Sequence, residues 1–197
     1  MPLYPFNRGY GQSLSTDVPG YGVDQAFTAH LVISAANAVA ASDTGVHAAI
    51  ALTAATQDII TAITNPSVPK ALRIKGNQAG VAGNVVITGT NFAGATITET
   101  IAANGATGVD GNKAFKTVTK ITVPVLVGAG DTISVGFTEK LGIPYLLPHN
   151  TVRDTYLNNV KEVTAPTVTV SATAIESNTI KLNSTLAGTV VDIYLLV

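Results

Sequence analysis

Runs of β-branched residues, broken at short intervals by glycine and proline, constrain this chain more than any other feature. Thr accounts for 27 of the 197 residues, and 18 Gly and 9 Pro interrupt the runs. β-Branched side chains favour the pleated surface of a sheet and disfavour helices. The runs recur roughly every 8 to 12 residues, which is typical of a sandwich or barrel. The sequence therefore predicts an all-β fold, a β-sandwich or partly closed barrel of short antiparallel strands.

Individual strands follow from alternating apolar and polar residues. In the segment 71–75, Leu72 and Ile74 share one face, while Arg73 and Lys75 share the other. A helix over the Ala-rich segments 35–41 and 48–56 is the alternative that Thr-rich neighbours disfavour. The other predicted strands are residues 27–34, 46–54, 58–63, 85–90, 95–102, 114–123, 132–137, 151–157, 160–163, 167–171, 179–182 and 190–196.

Turn residues separate several of these strands. Asn158-Asn159 suits a two-residue hairpin turn, because Asn tolerates positive φ. A short helix over 152–163 remains the alternative there. Asn91-Phe92-Ala93-Gly94 predicts a second hairpin loop.

The first 25 residues differ from the rest and predict an extended N-terminal arm. Gly and Pro recur there and argue against a regular element. Five of the eleven aromatic residues lie within the first 27 positions. We interpret these side chains as partner-binding anchors, and packing along the arm's own domain is the alternative. They are Tyr4, Phe6, Tyr10, Tyr21 and Phe27.

Residues 26–197 then form the β-rich body. Asn65-Pro66 and Val68-Pro69 mark a boundary, because the residue before proline is driven to extended geometry. We expect either a single body or two lobes with a seam near 66–69.

Charged residues make up only 12% of the chain, about half of the roughly 25% typical of soluble domains. Such a chain either enters a membrane or covers much of its surface with partners. The longest apolar stretches, 31–41 and 190–197, are interrupted and shorter than the roughly 18 residues of a spanning helix. The N-terminus lacks the apolar segment of a secretory signal. We therefore expect a protein made in the cytoplasm that binds partners and no membrane.

The charges are also unevenly placed. Residues 26–69 hold only Asp43 and Asp58, whereas ten of the eleven basic residues lie at or after Lys70. We expect the N-terminal third to be buried against partners and the Lys-bearing strands to face water. A formal net charge of −1 disfavours nucleic acid as a partner.

Residue patterns typical of catalysis or cofactor binding are scarce. The chain has no Cys, and His30, His47 and His149 lack metal-ligand spacing. His30 and His47 are interpreted as structural residues within apolar strands. The Gly-rich segment 76–83 lacks the Lys-Ser/Thr of a phosphate-binding loop. No enzyme activity, cofactor or metal is predicted.

Several polar residues allow a chemical role that turn or surface chemistry explains as well. Asp110 and Asn112 offer two oxygen ligands for calcium, but Asp-Gly is also a common turn. Three carboxylates offer a glycosidase pair if the fold brings them together: Glu99, Asp131 and Glu139. A basic cluster either binds an acidic partner or forms the solvent-exposed face of an edge strand. It comprises Lys113, Lys116 and Lys120, with Arg73 and Lys75 upstream.

Three Thr-containing segments stand out after residue 84: NVVITGTN (84–91), ITETI (97–101) and KAFKTVTKI (113–121). On the strength of these segments, residues 46–197 resemble structural proteins of tailed bacteriophages. The closing segments TVTVSAT (167–173) and VVDIYLLV (190–197) look like the end of capsid-associated members. The resemblance implies a non-enzymatic part of the particle, most like a capsid decoration (cement) protein on the capsid surface. It brings no catalytic residues.

The expected partners are the major capsid protein and copies of the chain itself, with a trimer as the expected homo-oligomer. A tail-tube or baseplate protein is the alternative within this class. A receptor- or carbohydrate-binding module is an alternative from another class, with Phe92, Tyr145 and Tyr156 as candidate ligand-stacking residues. A β-sandwich hydrolase is a third alternative, without any motif for a nucleophile.

Overall fold

The computed structural model describes residues 13–24 and 26–197, and these residues confirm the all-β prediction. Antiparallel strands make up 51% of the structure, and one sheet is strongly curled into a half-barrel. The strands in chain order are β1 (Ser13–Ser15), β2 (Gly22–Asp24), β3 (Thr28–Ile33), β4 (Ser42–Ala51), β5 (Gln57–Ile59), β6 (Lys70–Gly76), β7 (Ala82–Thr90), β8 (Thr96–Asn104), β9 (Val109–Phe115), β10 (Thr117–Val123), β11 (Thr132–Gly142), β12 (Val152–Leu157), β13 (Val160–Lys161), β14 (Thr167–Thr169), β15 (Thr179–Lys181) and β16 (Val191–Leu196). One short 3-10 helix covers Ile175–Ser177.

These strands form a hairpin and three larger sheets. β1 pairs with β2, and the β7 sheet has the order β5-β10-β7-β8. The β16 sheet has the order β13-β12-β16-β3. In the β11 sheet the order is β14-β15-β11-β6-β9, and β4 also pairs with β11. The long strand β11 therefore has β6 on one side and, in succession, β4 and β15 on the other.

The buried apolar side chains fall into two clusters. The first core cluster comprises Val46, Ile50, Leu52, Leu72, Ile74, Val81, Val85, Ile87, Ile97, Ile101, Phe115, Val118, Ile121, Val123, Ile133 and Val135. The second core cluster comprises Ile33, Ala38, Leu141, Ile143, Leu147, Ile180, Leu182, Leu186, Val191, Ile193 and Leu195. β11 supplies Ile133 and Val135 to the first cluster and Leu141 to the second.

The predicted seam at residues 66–69 lies where the chain passes between these clusters. Ile63 packs against the first cluster, Val68 against the second, and Leu72 belongs to the first again. The chain also changes cluster between Ala38 and Val46 and between Val135 and Leu141. Two separate lobes stay a prediction.

Two local predictions are confirmed by the backbone. Asn158 and Asn159 have φ of 52° and 62°, and they connect β12 to β13 as a two-residue turn. The predicted alternation in 71–75 is also present, because Leu72 and Ile74 are buried while Arg73 is half-buried. Burial on one face then places charged side chains together on the other.

Two other predictions are wrong. Residues 114–123 are two strands, because Phe115 and Val118 are both buried and alternation fails between them. The break at Lys116 sends β9 to the β11 sheet and β10 to the β7 sheet. The arm also contains regular structure, since β1 and β2 pair as a hairpin. Gly20 lies in its turn, where a φ of 77° suits glycine.

Candidate partner-binding surface

The arm hairpin, residues 13–24, is closed by a tight polar turn. The Tyr21 N–H donates to the Val18 carbonyl at 3.1 Å, and the Thr16 N–H donates to the Tyr21 carbonyl at 3.2 Å. The Thr16 hydroxyl donates to the same Tyr21 carbonyl at 2.8 Å. These bonds hold the backbone of the turn, so the Tyr21 side chain projects from an ordered segment.

Apolar side chains of the arm are exposed rather than packed. Val18 is 60% exposed, Tyr21 63% and Val23 43%, and Phe27 at the arm's end is 37% exposed. Clustered apolar exposure marks surfaces that bind partners. Of the predicted anchors, Tyr21 and Phe27 are thus exposed, whereas Tyr4, Phe6 and Tyr10 lie outside the described residues.

The arm is fixed to the body at Phe27. The Phe27 N–H donates to the Val197 carbonyl at 2.9 Å, and the Val197 N–H donates to the Phe27 carbonyl at 2.9 Å. β3 continues this pairing with β16 in unbroken register, from Thr28 opposite Leu196 to Ile33 opposite Val191. The arm therefore leaves the molecule at the outer strand of the β16 sheet.

The solvent-facing side of this sheet carries an aromatic face made of His30, Tyr156 and Tyr194. The His30 and Tyr194 rings stack with centroids 4.4 Å apart and 4° between their planes. Tyr156 meets Tyr194 edge-on at 5.8 Å. His30 Nε2 hydrogen-bonds to Asp192 Oδ1 at 2.8 Å. The face therefore combines aromatic rings with a polar group beside them, a combination that is common at binding interfaces.

Sequence reasoning missed this face, although its signal is present. In β3 the exposed positions are Thr28, His30 and Val32, while Ala29, Leu31 and Ile33 on the opposite face are more buried. The same period-two reading places Asp192 and Tyr194 on the outer face of β16. His30, interpreted as a residue of an apolar strand, is in fact 43% exposed at its side chain.

The three predicted carbohydrate-stacking residues occupy different settings. Phe92 lies in the turn between β7 and β8, and Tyr145 packs against the second core cluster. Tyr156 lies in strand β12 and joins the aromatic face.

A charge network covers the outer side of β4, β6 and β9. Asp43 accepts from Lys75 Nζ at 2.7 Å and lies 3.5 Å from the Arg73 guanidinium. Arg73 Nε donates to Asp110 Oδ1 at 2.5 Å. The hydrogen bond from Lys75 lowers the pKa of Asp43, and the bond to Asp110 raises the pKa of Arg73. Asp110, the candidate calcium ligand, is therefore engaged by a guanidinium.

The three carboxylates considered as a glycosidase pair each bind a different stretch of backbone. Glu99 Oε1 accepts from the Asn112 N–H at 2.6 Å. Asp131 Oδ2 accepts from the N–H groups of Val127 and Gly128, at 2.9 and 2.7 Å. Glu139 Oε1 accepts from the Leu186 N–H at 3.1 Å. Glu99 and Glu139 thus each join two segments of the fold, whereas these bonds of Asp131 close its own turn.

The residues of the predicted basic cluster have different partners. Lys113 Nζ donates to the Thr98 carbonyl at 2.9 Å, and Lys120 pairs with Asp58 at 3.2 Å. Lys116, between β9 and β10, is exposed. Arg73 and Lys75 belong to the charge network.

Lys70 departs furthest from the expectation that the Lys-bearing strands face water. It is fully buried, and its Nζ donates to the Val39 carbonyl at 2.7 Å. The Phe137 ring centroid lies 4.8 Å from the same Nζ. Burial lowers the pKa of Lys70 to about 8, and the nearby Glu139 carboxylate partly opposes this shift.

The Gly-rich segment 76–83 is tied to neighbouring loops. The Gly76 N–H donates to the Gly105 carbonyl at 3.0 Å, and Asn77 Oδ1 accepts from the Thr132 N–H at 2.9 Å. Within residues 13–24 and 26–197, no group of three or more His, Asp or Glu is placed to hold a metal ion. No helix in that part of the chain is long and apolar enough to cross a bilayer.

Comparison of the chain with protein-family models finds no match, and comparisons with curated proteins and with solved structures find none either.

Proposed function

We propose that this chain is a non-enzymatic structural protein of a tailed-phage virion, which binds and stabilises the capsid exterior. It is made in the host cytoplasm and then binds the major capsid protein and copies of itself. The exposed apolar arm carries this proposal, because four large apolar side chains between Val18 and Phe27 are in water when the chain is alone. The sequence resemblance to capsid-associated proteins supplies the class of partner.

The arm has the chemistry of an interface anchor. Aromatic side chains dominate the binding energy of protein interfaces, and burying one such residue is worth roughly 1.5 to 3 kcal/mol. Its hairpin turn is already ordered by the Thr16 and Tyr21 hydrogen bonds. Less conformational entropy is therefore lost on binding than for a disordered peptide.

Deletion of residues 2–22 tests the proposal on particles encoded by the same genome. Shells stripped of the chain are mixed with the intact or the shortened protein, and occupancy is measured by gel densitometry and cryo-electron microscopy. We expect at least about a tenfold loss of affinity with an unchanged β-sheet circular dichroism spectrum, because the core clusters lie outside the deletion. Unchanged occupancy would show that the arm is not the anchor.

Point variants separate the anchor side chains from the length of the arm. Tyr21→Ser combined with Val18→Ser should weaken shell binding. Ile60→Ser is the matched control, because Ile60 is 68% exposed on the body. Localisation of the chain to the tail, or assembly of the pure protein into hollow tubes, would favour the tail-tube alternative instead.

A carbohydrate-binding module is the second candidate, and the aromatic face favours it. Stacked rings flanked by Asp192 offer a platform and a hydrogen-bond acceptor to a sugar. A glycan array should then give hits that Tyr156→Ala and Tyr194→Ala remove. An array without hits would contradict this candidate and leave the capsid proposal untouched.

A further inference from the structure

The β16 sheet has an open edge at β3. β16 covers one side of β3, and among the described residues no other strand pairs with its second side. Thr28, His30 and Val32 are exposed, with Val32 at 51%. An open edge presents backbone donors and acceptors that another strand can bind.

The Phe27–Val197 pair reveals which backbone groups face this edge. These two residues exchange both of their N–H···O=C bonds. In an antiparallel ladder such pairs alternate with pairs that exchange none. The groups of Ala29, Leu31 and Ile33 therefore bond to β16, and those of Thr28, His30 and Val32 point to the open edge.

β3 also lacks the features by which proteins protect an edge. Its sequence, TAHLVI, has no Lys, Arg, Asp, Glu or Pro, and its register with β16 has no bulge. The other described edges of the three larger sheets have such features. β4 contains Asp43 and shifts register against β11, and β9 contains Asp110 and Lys113. β5, β13 and β14 have only two or three residues. β8 carries Glu99, whose carboxylate binds backbone N–H groups of β9.

We propose that β3 pairs antiparallel with β3 of a second copy of this chain, about a two-fold axis at His30. In this register Thr28 lies opposite Val32 of the second copy, and His30 lies opposite its equivalent. All three pairs exchange two backbone hydrogen bonds, because each outward-facing residue meets another outward-facing residue. Since β3 also carries no Lys, Arg, Asp or Glu, no like charges of these residues meet across the axis, and a second copy satisfies the whole edge.

The side chains suit this contact. On the outer surface Val32 packs on Thr28 of the second copy, and the two aromatic faces become neighbours across the axis. Each His30 keeps Asp192 beside it, at 2.8 Å. The contact does not depend on a role in the virion. A two-fold contact builds dimers and other even-numbered assemblies, and a single trimer, the oligomer expected from the sequence, does not contain one.

His30→Pro tests the contact with the full chain. Proline removes an N–H that faces the open edge and leaves every bond to β16 in place. We expect sedimentation velocity to show a dimer for the natural sequence at micromolar concentration. We expect His30→Pro to raise the dimer dissociation constant at least about tenfold, since two bonds are lost per dimer. His30→Ala, which keeps the N–H, should remain dimeric.

Cysteine pairs test the register independently of proline. In a hydrogen-bonded pair the Cα atoms are about 5.5 Å apart, within the range of a disulfide. Thr28→Cys with Val32→Cys should give a disulfide-linked dimer on mild oxidation, whereas either single variant should not. The two positions in one strand are about 13 Å apart and cannot join each other. Thr96→Cys with Thr100→Cys is the matched control on the protected edge β8.

The results separate the occupants of the edge. A dimer that is lost in His30→Pro and cross-linked through 28 and 32 supports the proposal. A monomer at all concentrations, or an oligomer that His30→Pro leaves unchanged, overturns it. Shell binding that is lost in His30→Pro without any change of oligomeric state would assign the edge to a capsid segment and overturn it too. Loss of shell binding in the arm deletion alone bears only on the proposed function.

Discussion

The outer surface above the first core cluster carries paired charges, whereas that of the second carries aromatic rings and an open strand edge. Above the first cluster, Asp43, Arg73, Lys75 and Asp110 neutralise one another across three strands. Above the second, His30, Tyr156 and Tyr194 face solvent beside β3. Paired charges are costly to strip of water, while rings and unpaired backbone gain from contact. The comparison therefore favours solvation of the first region, and it is the physical basis for our proposal that the second region binds partners.

Gly136→Ala should have the largest effect, and it acts on the first region. A Cβ at Gly136 would lie 1.7 Å from the Ser42 carbonyl oxygen, where β4 crosses β11. Two backbones cannot separate there without losing their pairing, so we expect a loss of about 4 kcal/mol or more in unfolding free energy. Gly80→Ala is the control, because nothing lies within 4 Å of its Cβ. Urea unfolding measures both, and equal midpoints would contradict the close packing.

Ile87→Ala and Ile193→Ala compare the two clusters directly. Both side chains are fully buried, Ile87 in the first cluster and Ile193 in the second. Each substitution should lower the free energy of unfolding by about 2 to 5 kcal/mol. Because β11 belongs to both clusters, we expect each variant to lower one common transition in calorimetry. Two transitions, of which each variant moves only one, would instead support separate lobes.

Lys70 tests the junction of the two clusters, since it pairs with Leu141 of the second and its Nζ approaches Phe137 beside the first. Its pKa is lowered from 10.5 to about 8 in the folded chain. The unfolded chain therefore binds more protons between these values, and stability should rise as pH increases from 8 to 10.5. The gain is on the order of 3 kcal/mol. Lys70→Met should abolish this rise in pH-dependent urea unfolding, and an unchanged slope would contradict the burial.

Asp43→Asn should have the smallest effect, because the network above the first cluster is half-exposed. We expect a loss below about 1 kcal/mol near neutral pH. The pKa of Asp43 is lowered on folding, so its contribution is present above the usual carboxyl pKa of 3.8 and disappears as pH falls below it. High salt should shrink the difference from the natural sequence. A larger loss that salt leaves unchanged would show a buried role instead.

The strands that were predicted from sequence patterns are those with one buried and one solvent-exposed face, because their apolar and polar residues alternate. Leu72 and Ile74 alternate with Arg73 and Lys75, and the structure buries the first pair. The turn at Asn158-Asn159 was predictable because few residue types other than Gly and Asn adopt positive φ. Alternation fails where two buried residues are three apart, as at Phe115 and Val118, so the strand break at Lys116 was missed.

The candidate surface was less predictable, because it depends on which strands become neighbours. The aromatic face joins His30 to Tyr194 over 164 positions of the chain, and no local pattern encodes that pairing. The burial of Lys70 was equally hidden, since a Lys that opens a strand is usually exposed. From sequence, the apolar arm was predicted as aromatic residues between glycines and prolines, and of the aromatic face only Tyr156 was named as a candidate.

The pairing of β3 with β16 also has a consequence for synthesis. His30 and Asp192, which join the two strands, are separated by 162 positions. At roughly 5 to 20 residues per second a ribosome takes on the order of ten to thirty seconds to make the intervening chain. During that time β3 lacks β16, the strand with which it pairs, and the second core cluster cannot close until β16 has emerged. Non-local closure of this kind slows folding. Nascent chains on one messenger thus offer each other the same edge before their own last strand is made.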